Sequence, residues 1–429
     1  MLYNLVSLLG IVGIIGIAWL MSNNKKAFPW RQVLWGLGLQ FLIAIFVFVL
    51  PVGKTLFLWM NDLAVTLIGY ATEGGKFVFG GLATRSMATK EGAAPGSDFV
   101  FAFEVLTTVI FFSSLIGVLY YIKVMQVLVK AFAWVMQKTM KVSGAEALTA
   151  SANIFFGQSE APIAVKPYIP KMTQSEIMSM MTGGFATVAG GVMAAYIGML
   201  HEVFPNIAGH LISASVLSAP AALMLAKVVF PETEKPLTQG EVAMNVETED
   251  VNVLDAAATG AASGLHLALN IGAMLIAFMA LLAMINAIIG YFGSMLGIDS
   301  LSLQKILGWT HYPIALMMGV YPQDAMTVAT LLGEKLILTE FVGYLNLTHI
   351  LKEGVIQLHP RSVVIVTYGL CGFANFASIA IQIGGIRAIA PSRSSDLAKL
   401  GLKAMFTGAL AAYLTGNIAG IFFSGNTIL

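Results

Sequence analysis

Charged residues and cysteine are both scarce in this chain of 429 residues. Only 10% of the residues are charged, whereas soluble domains carry roughly 25%, and 58% are hydrophobic. The single cysteine, Cys371, excludes an internal disulfide framework and a cysteine-based zinc site, and we expect it to be a small apolar residue within a helix. A net charge of +1, without a basic run interleaved with aromatics, argues against a nucleic-acid partner. This composition is typical of a polytopic membrane protein.

Eight apolar windows approach the length of about 20 residues that a transmembrane helix needs. They are 2–21, 33–52, 101–122, 175–200, 205–227, 265–292, 362–386 and 404–424. The first window has no lysine or arginine before it and Lys25, Lys26 and Arg31 just after it, the reverse of a secretory signal. Because basic loops stay in the cytoplasm, we expect a multi-pass protein of the cell inner membrane with both termini on the outer, periplasmic side.

Three segments between these windows are more polar. Residues 123–141 place four lysines among apolar residues, a pattern typical of a basic amphipathic helix on the inner membrane surface. Residues 53–92 mix charges with glycine pairs, and we expect an interfacial helix of the scaffold on the outer side. The acidic stretch 231–255 is predicted to be a solvated cytoplasmic loop, since acidic residues contribute little to orientation.

Two further regions are apolar enough to enter the membrane but contain helix breakers and carboxylates. Residues 143–170 include Glu160 together with glycine and proline residues, and residues 322–358 include Glu340. Irregular backbone and charges at membrane depth are tolerated only where they are buried in protein or line a watery cavity. Both regions are therefore predicted to be re-entrant hairpins.

A short internal repeat links the two hairpins. The hexapeptides GFATVA at 184–189 and GFANFA at 372–377 agree at four of six positions, and each follows its hairpin by a similar interval. Three predicted spans separate the hairpins, so the second hairpin enters from the opposite face and the repeats are inverted. Inverted repeats with broken helices around a midplane site are the architecture of many secondary transporters.

The predicted fold is all-α: a polytopic membrane protein with eight transmembrane helices plus two re-entrant hairpins in inverted repeats. We expect four divisions along the chain. They are scaffold spans with an outer interfacial helix in 1–122, the first repeat of a transport domain with hairpin 1 in 123–230, an acidic cytoplasmic loop and a scaffold span in 231–300, and the second repeat with hairpin 2 in 301–429.

Polar side chains at the hairpins suit an uncharged polar ligand. The amide of Gln158 offers a donor and an acceptor together, as the edge of a nucleobase requires, and the Glu340 carboxylate can accept two hydrogens from a sugar diol. Asn375 and Ser378 are neighbours across a helical turn and can present one polar face to the same ligand. The alternative for all of them is structural: a carboxylate satisfied by helix-end amides, or small polar groups joining helices.

Several motifs together resemble the concentrative nucleoside transporter family. They are GQSEAP at 157–162, KMTQSE at 171–176, GGFATVAGG at 183–191 and CGFAN at 371–375, and the resemblance covers nearly the whole chain, including PETEKP at 231–236. The resemblance implies a bacterial homotrimer with eight spans and two hairpins in each subunit. It also implies that a scaffold joins the subunits while a transport domain moves.

The resemblance further implies a nucleoside site and a sodium site at matching positions. The implied nucleoside contacts are Gln158, Ser159, Glu160 and Val192 at the base, Glu340, Asn375 and Ser378 at the ribose, and Phe373 against the ligand. The implied sodium ligands are the Asn153 side chain, the Thr187 hydroxyl and the carbonyl oxygens of Phe156 and Val188. Ser159 and Thr187 are each exchanged between serine and threonine relative to some members, and both keep a hydroxyl group.

The sequence therefore predicts a symporter that imports nucleosides such as uridine with an inward Na⁺ gradient, by alternating access. Proton coupling through Glu160 or Glu340 is the alternative, although an oxygen-only site suits a hard cation such as Na⁺. A channel would need a continuous polar pore. A membrane enzyme would need a histidine or paired-carboxylate cluster, whereas the six histidines are scattered. Membrane lipid is the other expected partner.

Overall fold

The computed structural model describes residues 2–83, 100–240, 250–298, 301–354 and 356–423, and these residues form α-helices and 3₁₀ turns without a β-strand among them. The N-terminal helices are α1 (Leu2–Leu20), α2 (Trp30–Phe48), α3 (Pro51–Phe79), α4 (Phe101–Glu104) and α5 (Leu106–Tyr121). A first unit follows: α6 (Val124–Met140), α7 (Gly144–Ala152), α8 (Gln174–Ala186), α9 (Gly190–Leu200) and α10 (Ile207–Val229). After α11 (Val253–Met295) comes a second unit: α12 (Leu303–Met317), α13 (Pro322–Ile337), α14 (Glu340–Glu353), α15 (Pro360–Leu370), α16 (Phe376–Ile389) and α17 (Ser394–Phe422).

Seven segments of the described chain are long and apolar enough to cross a membrane. They are α1, α2, α4–α5, α8–α9, α10, α11 and α17 with the 3₁₀ turn before it. These seven segments fall on seven of the predicted windows, although α11 begins at Val253, well before its window at 265–292. The eighth window, 362–386, contains the interrupted pair α15 and α16, so the total of eight spans stays a prediction.

The prediction that Cys371 lies inside a helix is wrong, because window 362–386 is interrupted at that point. The helix stops at Leu370 and restarts at Phe376. Gly372 lies between them with φ +122°, a conformation that side chains other than glycine's rarely adopt. The Asn375 side chain accepts a hydrogen bond of 2.8 Å from the Ser378 amide, which caps the new helix. Local sequence chemistry therefore both ends α15 and begins α16.

The two units share an order of elements. Each has an amphipathic helix (α6 or α12), a hairpin (α7 and its irregular return, or α13 and α14), an interrupted helix (α8 and α9, or α15 and α16) and a long final helix (α10 or α17). The interruptions coincide with the two hexapeptides. Three spanning segments, α8–α9, α10 and α11, lie between the hairpins, and this odd number supports the inverted arrangement, which stays a prediction.

Two of the predicted polar segments are described only in part. Within the segment 53–92, residues 53–79 belong to α3, a continuous helix of 29 residues that is not among the spanning segments, so its interfacial position on the outer side stays a prediction. Residues 84–92 of that segment, and residues 241–249 of the acidic loop, lie outside the described residues. The amphipathic helix predicted in 123–141 is present as α6.

Burial separates the helices into two groups. The spans α8–α9, α10 and α17 are 83 to 89% buried within one chain, whereas α4–α5 and α11 are only 17% and 11% buried. Helix α17 packs against α8, α10 and α15, so the buried helices form the core of both units. The paired helices α5 and α11 line the outside of this core. Apolar helices exposed in this way need lipid or another chain around them.

A buried lysine fastens hairpin 1 to the core. The Lys227 ammonium near the end of α10 forms an ion pair with Glu146 in the first turn of α7. It also lies 3.3 Å from a Glu232 oxygen and donates to the Ser175 hydroxyl at 2.9 Å. Since removing one partner of a buried ion pair is costly, these contacts fix the base of hairpin 1.

Candidate functional site

The tip of hairpin 1 is irregular backbone. Helix α7 begins with a capping box formed by Ser143 and Glu146 and ends at Ala152, and the return contains 3₁₀ turns rich in proline. At the tip, the Glu160 carboxylate accepts a hydrogen bond of 3.2 Å from the Gly157 amide. This turn folds the carboxylate back over the tip. Because the backbone here is irregular, its N–H and C=O groups are not all paired with one another as they would be in a regular helix.

The tip of hairpin 2 is the N-terminus of a helix. Thr339 caps α14, and Glu340 is its first residue, where the helix dipole favours a carboxylate. One Glu340 oxygen accepts a hydrogen bond of 2.9 Å from the Tyr196 hydroxyl, and the other accepts 2.7 Å from the Asn375 amide. Glu340 is buried, so these two donors hold its carboxylate in one orientation.

The two interrupted helices touch at their breaks. The Phe373 amide donates to the Thr187 carbonyl oxygen at 3.3 Å. A Cβ at Gly372 would lie 2.7 Å from the Phe185 carbonyl oxygen, closer than real side chains come. A glycine is therefore required there for both its conformation and its close approach, and the contact joins the first unit to the second.

A single cavity of about 140 Å³ lies between the hairpin tips and the breaks. All eight residues that the resemblance assigns to the nucleoside line it: Gln158, Ser159, Glu160, Val192, Glu340, Phe373, Asn375 and Ser378. The α11 residues Leu267, Ile271, Met274 and Leu275 form an apolar wall. Ligand sites are commonly apolar clefts with a few convergent polar groups, and this cavity has that character.

The four residues that the resemblance assigns to sodium lie beside this cavity rather than in its lining. Asn153 and Thr187 are both buried, and neither the oxygen nor the nitrogen of the Asn153 side chain has a hydrogen-bond partner in the described chain. The Thr187 hydroxyl donates to the Gly183 carbonyl at 2.9 Å, which leaves its lone pairs free to accept or coordinate. A buried amide without a partner is costly, and a cation bound to the Asn153 side-chain oxygen would satisfy that atom. Phe156 lines a second cavity, and Val188 is buried in the break.

That second cavity, of about 470 Å³, adjoins the first. Glu160, Ala189 and Leu267 line both. The larger cavity extends to Asp250, next to the acidic loop, and the rings of Tyr120 and Phe156 meet in its wall with centroids 5.5 Å apart. The larger cavity therefore connects the polar site with Asp250.

Three neighbours of the candidate site are absent from the sequence-based predictions. Tyr196 orients Glu340, and the buried Lys335 ammonium donates to the Gly369 and Cys371 carbonyls at the end of α15. Gln382 is fully buried and donates to the Met181 carbonyl at 3.1 Å. A lysine in an apolar segment is itself a signal of function, whereas nothing in the local sequence singles out Tyr196.

Gln382 and Gly385 continue the polar face of α16 beyond Asn375 and Ser378. A Cβ at Gly184 would lie 2.3 Å from the Gln382 amide nitrogen and 2.8 Å from the Gln158 Cβ, so the two glutamines flank Gly184. A Cβ at Gly385 would lie 2.9 Å from the Ser159 Cβ. Helix α16 of the second unit therefore packs against the tip of hairpin 1 through these residues.

Comparisons with known proteins agree with this geometry. Three family models cover most of the chain: the Na⁺ dependent nucleoside transporter N-terminus at residues 9–82, "nucleoside recognition" at 102–202 and the Na⁺ dependent nucleoside transporter C-terminus at 210–420. A Haemophilus influenzae protein described as an uncharacterized transporter is 44% identical over 420 residues, which is 97% of both chains. Mouse solute carrier family 28 member 3 is 42% identical over 97% of this chain, and rat sodium/nucleoside cotransporter 1 is 39% identical over 98%. The alignments span 59% and 64% of the lengths of these two mammalian proteins.

Solved structures are also similar to this chain over nearly its full length. CNTnw in an inward-facing substrate-bound state has a TM-score of 0.91 and 42% identity, with 98% of both chains covered. A CNTnw variant in an outward-facing state has the same TM-score with 41% identity. The fold as a whole is thus equally similar to both states. On sequence and structure together, this chain belongs to the family of Na⁺-dependent, concentrative nucleoside transporters, which carry nucleosides across membranes and are not enzymes.

Proposed function

We propose that this protein is a secondary active symporter that imports nucleosides, including uridine, across the cell inner membrane with an inward Na⁺ gradient. The observation that carries the proposal is the convergence of eight side chains from both units on one cavity. These side chains combine carboxylate, amide and hydroxyl groups with an aromatic ring, which is the set of groups that a nucleoside requires. Secondary transporters bind substrate at the interface of their repeats.

The two ends of the cavity suit the two parts of a nucleoside. Glu340 is held by Tyr196 and Asn375 and can accept hydrogens from the ribose hydroxyls, with Ser378 beside it. At the other end, the side-chain oxygen of Gln158 has no protein partner in the described chain and can accept a hydrogen from the base. Ser159 and Glu160 adjoin the base, while Val192 and Phe373 provide apolar surface for it.

For the coupling ion, we propose the site formed by the Asn153 side chain, the Thr187 hydroxyl and the carbonyls of Phe156 and Val188. The unpartnered Asn153 amide supports this site, and its oxygen-only ligands match the preference of a hard cation such as Na⁺. The rat relative is a sodium/nucleoside cotransporter by name, which supports the same ion.

For the movement, we propose alternating access, in which the first and second units move relative to a homotrimeric scaffold. The exposed helices α5 and α11 belong to this scaffold. With the acidic loop on the cytoplasmic side and both termini on the periplasmic side, the larger cavity opens to the cytoplasm. The conformation would then be inward-facing, ready to release substrate into the cell.

Uptake of radiolabelled uridine into proteoliposomes tests the proposal. We expect uptake to rise with an imposed inward Na⁺ gradient and to stop when a sodium ionophore dissipates that gradient. Uptake that is independent of Na⁺ but driven by an inward proton gradient would instead show that protons are the coupling ion. Uridine flux that never exceeds equilibration under any ion gradient would identify a channel and contradict symport.

A further inference from the structure

Helix α6 presents three different faces along its length. Met125, Val129, Ala133, Met136 and Met140 are buried against the rest of the chain. A second face carries the exposed apolar residues Val124, Leu128 and Val135. The third face carries Lys130, Trp134 and Lys138, which lie within an arc of about 80° because each step of four residues turns a helix by about 40°. The exposed Val127 lies within the same arc.

Further cationic side chains lie near this third face. Lys123 and Lys141 cap the two ends of α6, and the segment 123–141 contains no acidic residue. Arg31, at the start of α2, donates to the Thr139 carbonyl at 3.1 Å and adds a guanidinium near the C-terminal end. None of these five cations forms an ion pair within the described residues, so no described carboxylate neutralises their charge.

The neighbouring groups indicate a lipid surface as the partner. Trp134 is 58% exposed between Lys130 and Lys138, and Trp30, beside Arg31, is also exposed. Tryptophan is enriched at the headgroup level of membranes. The adjoining valine and leucine face requires hydrocarbon, whereas an acidic protein or a nucleic acid would cover the lysines and leave that face in water.

We propose that the cationic face of α6, with Arg31, is a binding site for the headgroups of anionic phospholipids. The lysine ammonium groups would contact the lipid phosphates, Trp134 would lie among the headgroups, and Val124, Leu128 and Val135 would contact the acyl chains. Helix α6 leads directly into hairpin 1, so bound lipid would contact the helix that enters this hairpin.

Lipid-dependent melting of the intact, detergent-solubilised protein tests the proposal. A ligand that binds only the folded state raises the melting temperature by mass action, so phosphatidylglycerol should raise it and phosphatidylcholine should not. In the double variant Lys130→Gln/Lys138→Gln, we expect half-saturation to need on the order of tenfold more phosphatidylglycerol, since each lysine near an anionic surface contributes to binding. Lys130→Arg/Lys138→Arg should restore the wild-type response.

The matched control is Lys54→Gln/Lys76→Gln, which removes two exposed lysines from α3. This control should respond to phosphatidylglycerol like the wild type. Equal responses of the two glutamine double variants would overturn the proposal, as would equal stabilisation by phosphatidylcholine or by inorganic phosphate. These measurements do not depend on transport, so they remain informative whatever the coupling ion is.

Discussion

The first and second units share one architecture but differ in how their polar groups are satisfied. In the first unit, the side-chain amide of Asn153 and the oxygen of Gln158 have no hydrogen-bond partner in the described chain. In the second unit, Glu340 and Asn375 bond to each other, and Tyr196 of the first unit donates the other hydrogen bond to Glu340. An ordered carboxylate is ready for its ligand before the ligand arrives, whereas unpartnered amides gain their bonds only when a ligand or ion binds.

The largest effect should follow from disturbing the ordered second unit. Glu340→Gln replaces a carboxylate with an amide that has one accepting oxygen, so charge-assisted bonds worth about 3 kcal/mol are lost. We expect uridine affinity to fall about 100-fold, as measured by calorimetric binding. The ratio of uridine affinity to 2′,3′-dideoxyuridine affinity should collapse towards one.

Glu334→Gln is the control for this variant. Glu334 is also buried and accepts a hydrogen bond of 2.8 Å from Asn346, but it does not line the cavity. The Glu334→Gln variant should bind uridine and 2′,3′-dideoxyuridine nearly as the wild type does. If Glu340→Gln keeps the wild-type affinity ratio, the carboxylate does not contact the ribose.

A smaller and different effect should follow in the first unit. Asn153→Ala removes a side chain that has no partner in the described chain, so stability should change little while an ion ligand is lost. We expect the Na⁺ concentration for half-maximal uptake to rise about tenfold, with uptake recovered at saturating Na⁺. The measurement is uridine uptake across a series of Na⁺ concentrations.

The corresponding control is Asn61→Ala in α3, another buried asparagine, whose oxygen accepts from the Gly209 amide at 3.3 Å. Its half-maximal Na⁺ concentration should match that of the wild type. An unchanged Na⁺ requirement in Asn153→Ala would place the ion elsewhere.

The smallest effect should come from Gln382, a residue of the second unit that donates a hydrogen bond to the first unit. Gln382→Leu removes the bond to the Met181 carbonyl and the polar neighbour of Gln158 across Gly184. We expect an approximately threefold loss of uridine affinity and a changed ratio of uridine to cytidine binding, because these nucleosides differ at the base edge. The ratio of uridine to 2′,3′-dideoxyuridine should stay constant, and a shift in that ratio instead would show that Gln382 acts on the ribose end.

The features that were predictable from the sequence are those encoded locally. Hydropathy located the spans, and the repeated hexapeptide located both interruptions, because Gly372 and the capping Asn375 end and restart a helix through their own chemistry. The resemblance to the family identified the residues that line the cavity. Helix α12 was missed, since it has only 15 residues and mixes polar with apolar side chains.

The missed neighbours depend on packing between distant segments. Tyr196 reaches Glu340 across a separation of 144 residues, and Gln382 reaches Met181 across 201. A single sequence does not state which side of a helix faces which neighbour when the helix is apolar all round. Both contacts therefore required the three-dimensional arrangement.

The hydrogen bond between the Phe373 amide and the Thr187 carbonyl has a thermodynamic consequence. It joins the residue proposed to contact the nucleoside to a residue proposed to bind sodium, so ordering either break helps to order the other. By linkage, the factor by which Na⁺ tightens uridine binding must equal the factor by which uridine tightens Na⁺ binding. This backbone contact is thus a direct physical route by which a bound sodium ion and a bound nucleoside would stabilise each other's sites.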